Sequence, residues 1–103
     1  MHDRRDAFEA AGVGIAVLTR EGRVIDANHA LGRLLGRPAG DLDGQPCPLL
    51  EGLDAQRWAA LVAGELESAG FEYRLKDARW LLVTVSATDE QLVGGVEGQR
   101  RDG

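Results

Sequence analysis

The chain has 103 residues, of which 44% are hydrophobic and 28% charged, a size and composition typical of one globular domain. Its 12 basic and 17 acidic residues give a formal net charge of −5, which argues against a nucleic-acid partner, and its one cysteine excludes an internal disulfide. No apolar run approaches the roughly 18 residues of a membrane span, so we expect a cytoplasmic protein, or the cytoplasmic part of a larger one, with no membrane partner.

The first 13 residues predict a short amphipathic helix. A charged start is followed by Phe8 and several small apolar residues, and Gly12 or Gly14 ends the helix. A helix of about two turns is marginal on its own in water, so it needs a surface to pack on. We therefore expect residues 1–13 to form an N-terminal dimerisation segment.

Two short strands and a helix follow. Residues 14–18 are apolar and rich in strand-forming residues, residues 19–22 form a turn that contains Gly22, and residues 23–27 form the returning strand. Asn28 is placed to cap a helix, because its side chain can accept a bond from a free backbone N–H. The apolar spacing of the next residues marks one helix face, and Gly36 ends the helix.

Glycine and proline are frequent in residues 37–52, so no long element is expected there. This segment should nevertheless pack down in short turns, because its leucines need burial. Asp54 then caps a second helix, which is predicted to run over residues 55–68 and to end at Gly70. The helix has one apolar stripe, formed by Trp58, Leu61, Val62 and Leu66.

The last third predicts an antiparallel meander of three strands. Residues 71–76 alternate strictly, Asp77 and Ala78 form a turn, residues 79–88 are apolar at most positions, and residues 92–96 form a last strand before a polar, fraying tail. The prediction is an α+β domain with a five-stranded antiparallel sheet and short helices covering one face. Its parts are the N-terminal segment 1–13, a core over 14–98 and a tail over 99–103.

The order of these elements and several motifs resemble the PAS family. The motifs are the opening hairpin that ends at Asn28, the triplet Leu34-Leu35-Gly36 followed by Asp41-Leu42-Asp43-Gly44, and the strand residues Phe71-Glu72-Tyr73-Arg74 and Arg79-Trp80. Ala78 departs from the pattern, because the family usually has a turn glycine there.

The resemblance implies a function. It implies a sensory module for signal transduction, not an enzyme, that forms homodimers through its N-terminal helix and the outer face of its sheet. Such a module is expected to bind a small molecule between the sheet and the helices, or no ligand at all. It is expected to relay a signal to an effector such as a histidine kinase of a two-component system or a cyclase. A ligand-free structural dimerisation domain is the plainer alternative.

A flavin-bearing redox or light sensor is the other alternative. Residues 44–52 are similar to the cysteine segment of the light-sensing LOV branch, with Cys47, Leu50 and Gly52 in register. Pro46 and Pro48, however, replace polar residues that would hold a flavin and also remove backbone donors.

We predict no cofactor, no metal site and no catalytic residue. Neither of the two histidines, His2 and His29, is placed near Cys47 as a base, and neither lies in the predicted helix 55–68, where a haem ligand is expected. Two distant histidines and one thiol do not make a metal site.

A ligand pocket, where one exists, is predicted between the inner sheet face and the helix over 55–68. On the fourth strand, two hydroxyls that need partners favour the Trp80, Leu82, Thr84 and Ser86 face over the Leu81, Val83 and Val85 face. No charged residue lies in this lining, so the ligand is expected to be neutral or weakly polar. The plainer interpretation is that the aromatic residues are core and that Asn28 is a simple helix cap. The candidate pocket residues are Asn28, Trp58, Leu61, Val62, Tyr73, Trp80, Leu82, Thr84 and Ser86.

Overall fold

The computed structural model of the protein describes residues 13–88 and 90–101. They form strands β1 (Ile15–Leu18) and β2 (Val24–Ala27), helix α1 (His29–Leu35), 3₁₀ helices Ala39–Leu42 and Pro48–Gly52, helix α2 (Ala55–Val62), and strands β3 (Ser68–Arg74), β4 (Arg79–Ala87) and β5 (Leu92–Arg101). The helix predicted in residues 1–13 lies outside the described residues, apart from Val13. None of the helices within the described ranges is long and apolar enough to cross a membrane.

The strands form one antiparallel sheet in the order β2-β1-β5-β4-β3. The closing meander β3-β4-β5 and the opening hairpin β1-β2 meet where β1 pairs with β5. The helical segments within residues 29–62 all pack against one side, which we call the inner face, and the opposite side is the outer face. The predicted α+β class with a five-stranded antiparallel sheet is confirmed.

A filled apolar core lies between the inner face and the helices. The sheet supplies branched aliphatic side chains, and each helical segment adds at least one leucine. The largest fully buried apolar side chains are Leu18, Leu31, Leu42, Leu49, Leu61, Leu81, Val83 and Val85. Burial of this much apolar surface is the main stabilising term for a domain of this size. It also confirms that the glycine-rich segment 37–52 packs down in short turns.

The predicted choice of inner face on β4 is wrong. Leu81, Val83 and Val85 are buried against the helices, whereas Leu82 is 43% exposed on the outer face with Trp80, Thr84 and Ser86. Register explains this, because Phe71 pairs with Val83 and so shares its face. The hydroxyls of Thr84 and Ser86 are only partly buried, so water can satisfy them, and the burial of three aliphatic side chains decides the orientation.

Helix α2 is shorter than predicted. It ends at Val62 because Gly64 adopts the left-handed conformation (φ 79°), and the backbone N–H groups of Glu65 and Leu66 then donate to the carbonyl of Ala60. Gly64 therefore ends the helix, not Gly70, which lies inside β3. The stripe continues to Leu66 only because the turn brings that leucine back onto the core.

Strand β5 is longer than predicted. Residues 97–101 continue the pairing with β4 as far as the partners Arg79 and Arg101, after a register shift between Leu82 and Val83. The polar composition of this tail predicts fraying, but the ladder with β4 holds it as strand. Polar composition does not prevent pairing where a neighbouring strand offers a full row of backbone groups.

Candidate functional site

Asn28 joins the start of the described chain to the first helix. Its side-chain oxygen accepts hydrogen bonds from the backbone N–H of Leu31 and of Ile15, both at 3.0 Å. Its amide nitrogen donates to the carbonyl of Val13 at 2.8 Å. The residue is fully buried, so each bond is made away from competing water. Asn28 is therefore both the predicted helix cap and a tie between α1 and the sheet, and it lines no open surface.

None of the helices within residues 29–62 covers the outer face of the sheet, which is rich in apolar and small residues. Cross-strand register places Ile15, Gly95, Thr84 and Gly70 in one row, and Val17, Val93, Ser86 and Ser68 in the next. Leu82 lies in a third row between Gly98 and Glu72. This composition is unusual for a sheet face in contact with solvent, where the outward-facing residues of each strand are ordinarily polar.

Trp80 ends the outer face between two arginines. The guanidinium carbon of Arg100 lies 5.1 Å from the indole centroid and that of Arg74 lies 5.7 Å away, within cation–π range. Arg100 also forms an ion pair with Glu72 at 2.8 Å. The arginines of this stack are thus oriented by aromatic and acidic neighbours on the same face.

An open cleft of about 610 Å³ lies on the helical side, where the β1–β2 turn meets the second 3₁₀ helix and α2. Leu50, Leu53 and Trp58 give it an apolar wall, and Gly22 allows close packing, since a side chain there would approach Leu50. Its charged lining residues are Glu21, Arg37 and Glu51. We call it the apolar cleft; its volume is within the range of small-molecule sites.

Cys47 lines the apolar cleft but is itself buried. Burial raises the pKa of the Cys47 thiol, and backbone N–H groups of Leu49 and Leu50 oppose that rise only in part. The thiol is therefore protonated at neutral pH and is a poor nucleophile. No group of three or more His, Cys, Asp or Glu residues in the described ranges could hold a metal ion.

A flavin does not fit the residues around Cys47. Pro46 and Pro48 flank the thiol and offer no backbone N–H to a flavin ring. The chain's one asparagine, Asn28, is buried and uses its amide within the fold. Gln45 is the one lining residue of the apolar cleft with a neutral amide side chain, which is fewer such groups than the edge of a flavin ring requires.

The structure distributes the predicted pocket residues over several places instead of one lining. Leu61 is core, Val62 is half-buried at the end of α2, and Trp58 faces the apolar cleft. Tyr73 is half-buried at the far end of the inner face. Burial is the largest cause that raises the pKa of its phenol, and negative charge on Glu51 and Cys47 raises this pKa further. The remaining candidates on β4, namely Trp80, Leu82, Thr84 and Ser86, lie on the outer face.

Sequence reasoning missed the residues that form the cleft with Trp58. The pattern marks Leu50 and Leu53 only as leucines in need of burial, and it does not single out Arg37. The available signal was the cluster of leucines between Pro48 and the Asp54 cap, because leucines this close together place a short buried segment against the start of α2.

Comparison with known proteins supports one family. A family model described as PAS domain matches residues 5–69, which is more than half of the chain. No curated protein matches the chain.

Several solved structures share the fold. A domain of a sensory box sensor histidine kinase/response regulator from Geobacter sulfurreducens is 22% identical with a TM-score of 0.68, over 91% of this chain and 90% of that one. The PAS domain of nitrogen regulation protein NR(II) from Vibrio parahaemolyticus is 18% identical with a TM-score of 0.65, over 99% and 100%.

A third similar structure is the PAS domain, in complex with ethanol, of a LuxR-family transcriptional regulator from Burkholderia thailandensis. It is 18% identical with a TM-score of 0.67, over 93% of this chain and 96% of that one. PAS domains are sensory signalling modules of histidine kinases and regulators, and in general they are not catalytic. The strand order, the helices on one face and the family match together show that the chain belongs to the PAS domain family.

Proposed function

We propose that this PAS domain is a non-catalytic sensory module that forms a homodimer through the outer face of its sheet and relays a signal to an effector. The observation that carries the proposal is the apolar outer face, which no helix of the described residues covers. Leu82 is 43% exposed there, among partly exposed Ile15, Val17 and Val93. A contiguous apolar surface of this kind marks an interaction site on a soluble domain.

The charges of the outer face favour a second copy as its occupant. Register places Asp26, Glu72, Arg74 and Arg100 on this face, which is two acidic and two basic groups and a net charge of zero. In a two-fold dimer the same patch must face itself. A neutral patch can do so without like-charge repulsion, whereas the chain as a whole has a net charge of −5. Residues 1–13 are proposed to extend this interface.

Light scattering after gel filtration tests the dimer. At tens of micromolar, the wild-type chain is expected to have twice the 11.1 kDa mass of one chain. Leu82→Glu should give the monomer mass, because it would bury an unpaired carboxylate in the interface. Ala59→Glu, an exposed change on α2, is the control and should leave the dimer intact. A wild-type monomer, or a dimeric Leu82→Glu variant, contradicts the proposal.

We further propose that the apolar cleft is the sensory site and takes a small neutral ligand. The support is its leucine and tryptophan wall and its size. The similar PAS domain from Burkholderia thailandensis was solved in complex with ethanol, so a small alcohol is a reasonable probe.

Titration with 1-butanol, followed by ¹H–¹⁵N NMR, tests this site. The chain has two tryptophans, so the indole Nε1–H of Trp58 should shift with saturation while that of Trp80 on the outer face should not. Equal shifts of both signals, or none, contradict a ligand site here. Absence of any shift would favour the ligand-free dimerisation domain, an alternative that the filled core between sheet and helices supports.

The effector and the compartment are the remaining parts of the proposal. Similar folds occur in a sensor histidine kinase and in a transcriptional regulator. We propose a cytoplasmic role in which this domain controls an effector such as a histidine kinase or a cyclase. Sequencing the gene around this domain tests the effector, because a kinase or cyclase segment in the same reading frame is expected.

A further inference from the structure

A second groove, of different chemistry, lies between α1 and the turn that joins β3 to β4. It has a volume of about 420 Å³. Its floor is formed by apolar parts of Leu34, Leu35, Pro48, Tyr73 and Leu75. We call it the basic groove, because its rim has the four cationic side chains of Arg33, Arg37, Lys76 and Arg79 and the single carboxylate of Asp77.

The rim of the basic groove has an excess of positive charge. Four cations and one carboxylate give a net charge of +3, in a chain whose net charge is −5. The Asp77 carboxylate is already engaged, since Nε of Arg79 lies 2.9 Å from one of its oxygens and 3.1 Å from the other. Within residues 13–88 and 90–101, Arg33 and Lys76 have no carboxylate partner. The groove therefore offers cations that no carboxylate of the described fold neutralises.

We propose that the basic groove binds a small anion with an apolar body, such as a medium-chain carboxylate. The carboxylate would lie between Arg33 and Lys76, and the apolar body would cover Leu34 and Leu75. The volume suits a small molecule rather than a protein segment. Tyr73 adds a phenol that stays protonated at neutral pH and can donate, since burial raises its pKa.

The basic groove is distinct from the apolar cleft. The two share only Arg37 and Pro48, which form the ridge between them. Trp58 faces the apolar cleft alone and Lys76 faces the basic groove alone. Binding at one site can therefore be observed without binding at the other.

Titration of the full chain with octanoate, followed by ¹H–¹⁵N NMR and calorimetry, tests the proposal. We expect saturable shifts at Arg33, Lys76 and Leu75 with no shift of the Trp58 indole. The double variant Arg33→Gln/Lys76→Gln should bind octanoate at least about tenfold more weakly. Arg20→Gln is the matched control, because this exposed arginine lies on the β1–β2 turn outside the groove, and its octanoate affinity should equal that of the wild type.

Two further probes separate charge from apolar contact. 1-Octanol lacks the charge and acetate lacks the apolar body, so at the basic groove each should bind at least about tenfold more weakly than octanoate. The affinity there is taken from the shifts of Lys76 and Leu75, because a neutral alcohol is also expected to bind in the apolar cleft. Octanol binding as tightly as octanoate would reduce the groove to an apolar contact and overturn the proposal. Acetate binding as tightly would indicate a surface for acidic partners instead, which also overturns it. An unchanged affinity in the double variant, or no octanoate binding by the wild type, has the same consequence.

Discussion

Asn28 shows how one side chain can serve two elements at once. As a cap it accepts from Leu31, which any small polar residue in this position could do. Its further bonds to Ile15 and Val13 require an acceptor and a donor on one planar group, and among the residues that commonly cap helices only asparagine provides both. The sequence predicted the cap and left the tie as an alternative, because the distance from Asn28 to Val13 depends on how the hairpin folds back.

Asn28→Ala is expected to lower the free energy of unfolding by about 3 to 5 kcal/mol, because it leaves several buried backbone groups without partners. The exposed cap Asp54, which accepts from the backbone N–H of Arg57 at 2.8 Å, is the matched control. Asp54→Ala should have a much smaller effect, since water replaces its bonds. Urea denaturation of both variants measures the difference, and equal losses would mean that Asn28 acts only as a cap.

Cys47 permits a prediction with a defined pH dependence. Burial raises the pKa of its thiol in the folded chain, so the unfolded chain loses this proton first as the pH rises. The buried neutral thiol therefore makes its full contribution to the free energy of unfolding below the ordinary thiol pKa of about 8.5. Above that pH the free energy of unfolding declines, by at most about 1.4 kcal/mol per pH unit.

Cys47→Ser removes this titration and retains a small side chain with an oxygen acceptor. The free energy of unfolding of the wild type should therefore fall relative to that of the variant between about pH 8 and about pH 10. At neutral pH the variant should dimerise and bind 1-butanol as the wild type does. A signalling defect in a folded Cys47→Ser protein would instead give the thiol a functional role.

At the level of elements, periodicity predicted the type of nearly every segment but not where each one ends. The α2 stripe continued in the sequence to Leu66, while the chain itself turned at Gly64. Strand β5 continued beyond the apolar residues because β4 offered pairing partners up to Arg79. Both errors have one cause: local pattern reports which residues are buried, whereas the ends of elements depend on glycine conformation and on neighbouring strands.

The β3–β4 turn is strained at a residue that the family resemblance had already marked. Ala78 has a φ of 71°, in the left-handed region that favours glycine. Ala78→Gly should raise the free energy of unfolding by about 0.5 to 1 kcal/mol, because relief of backbone strain exceeds the added entropy of the unfolded chain. Thermal denaturation should show a melting temperature higher by a few degrees.

Ala59→Gly is the control for the Ala78 variant. Ala59 lies on the exposed side of α2 with helical backbone, so the same chemical change should lower stability by about 1 kcal/mol. Opposite signs at the two positions would attribute the gain at Ala78 to the turn. A loss of stability in both variants would contradict the strained conformation.

For the whole molecule, the sequence predicts a sheet with helices on one face, but it does not determine which face of β4 contacts the helices. Strand β4 is apolar on both faces, so its sequence is compatible with either orientation, and the buried-hydroxyl argument favoured the wrong one. Only the pairing of Phe71 with Val83 and of Tyr73 with Leu81 fixes the choice. The wrong choice of face also made the predicted site wrong. Four of its residues lie on the face proposed for dimerisation, and the apolar cleft lies elsewhere.

The last prediction concerns cofactors and belongs to the whole chain. The interior is filled mainly by leucine and valine, and two prolines flank the only thiol. The side-chain amide of Asn28 is buried and forms its hydrogen bonds within the fold. A flavin would need several neutral hydrogen-bonding groups around its ring, and of the residues that line the cleft beside Cys47 only Gln45 has a neutral amide side chain. The purified protein should therefore be colourless, and metal analysis should find no stoichiometric ion. Added flavin mononucleotide should separate from the protein on gel filtration. An absorption band at about 450 nm that elutes with the protein would restore the flavin sensor as the function and remove the neutral-ligand proposal for the apolar cleft.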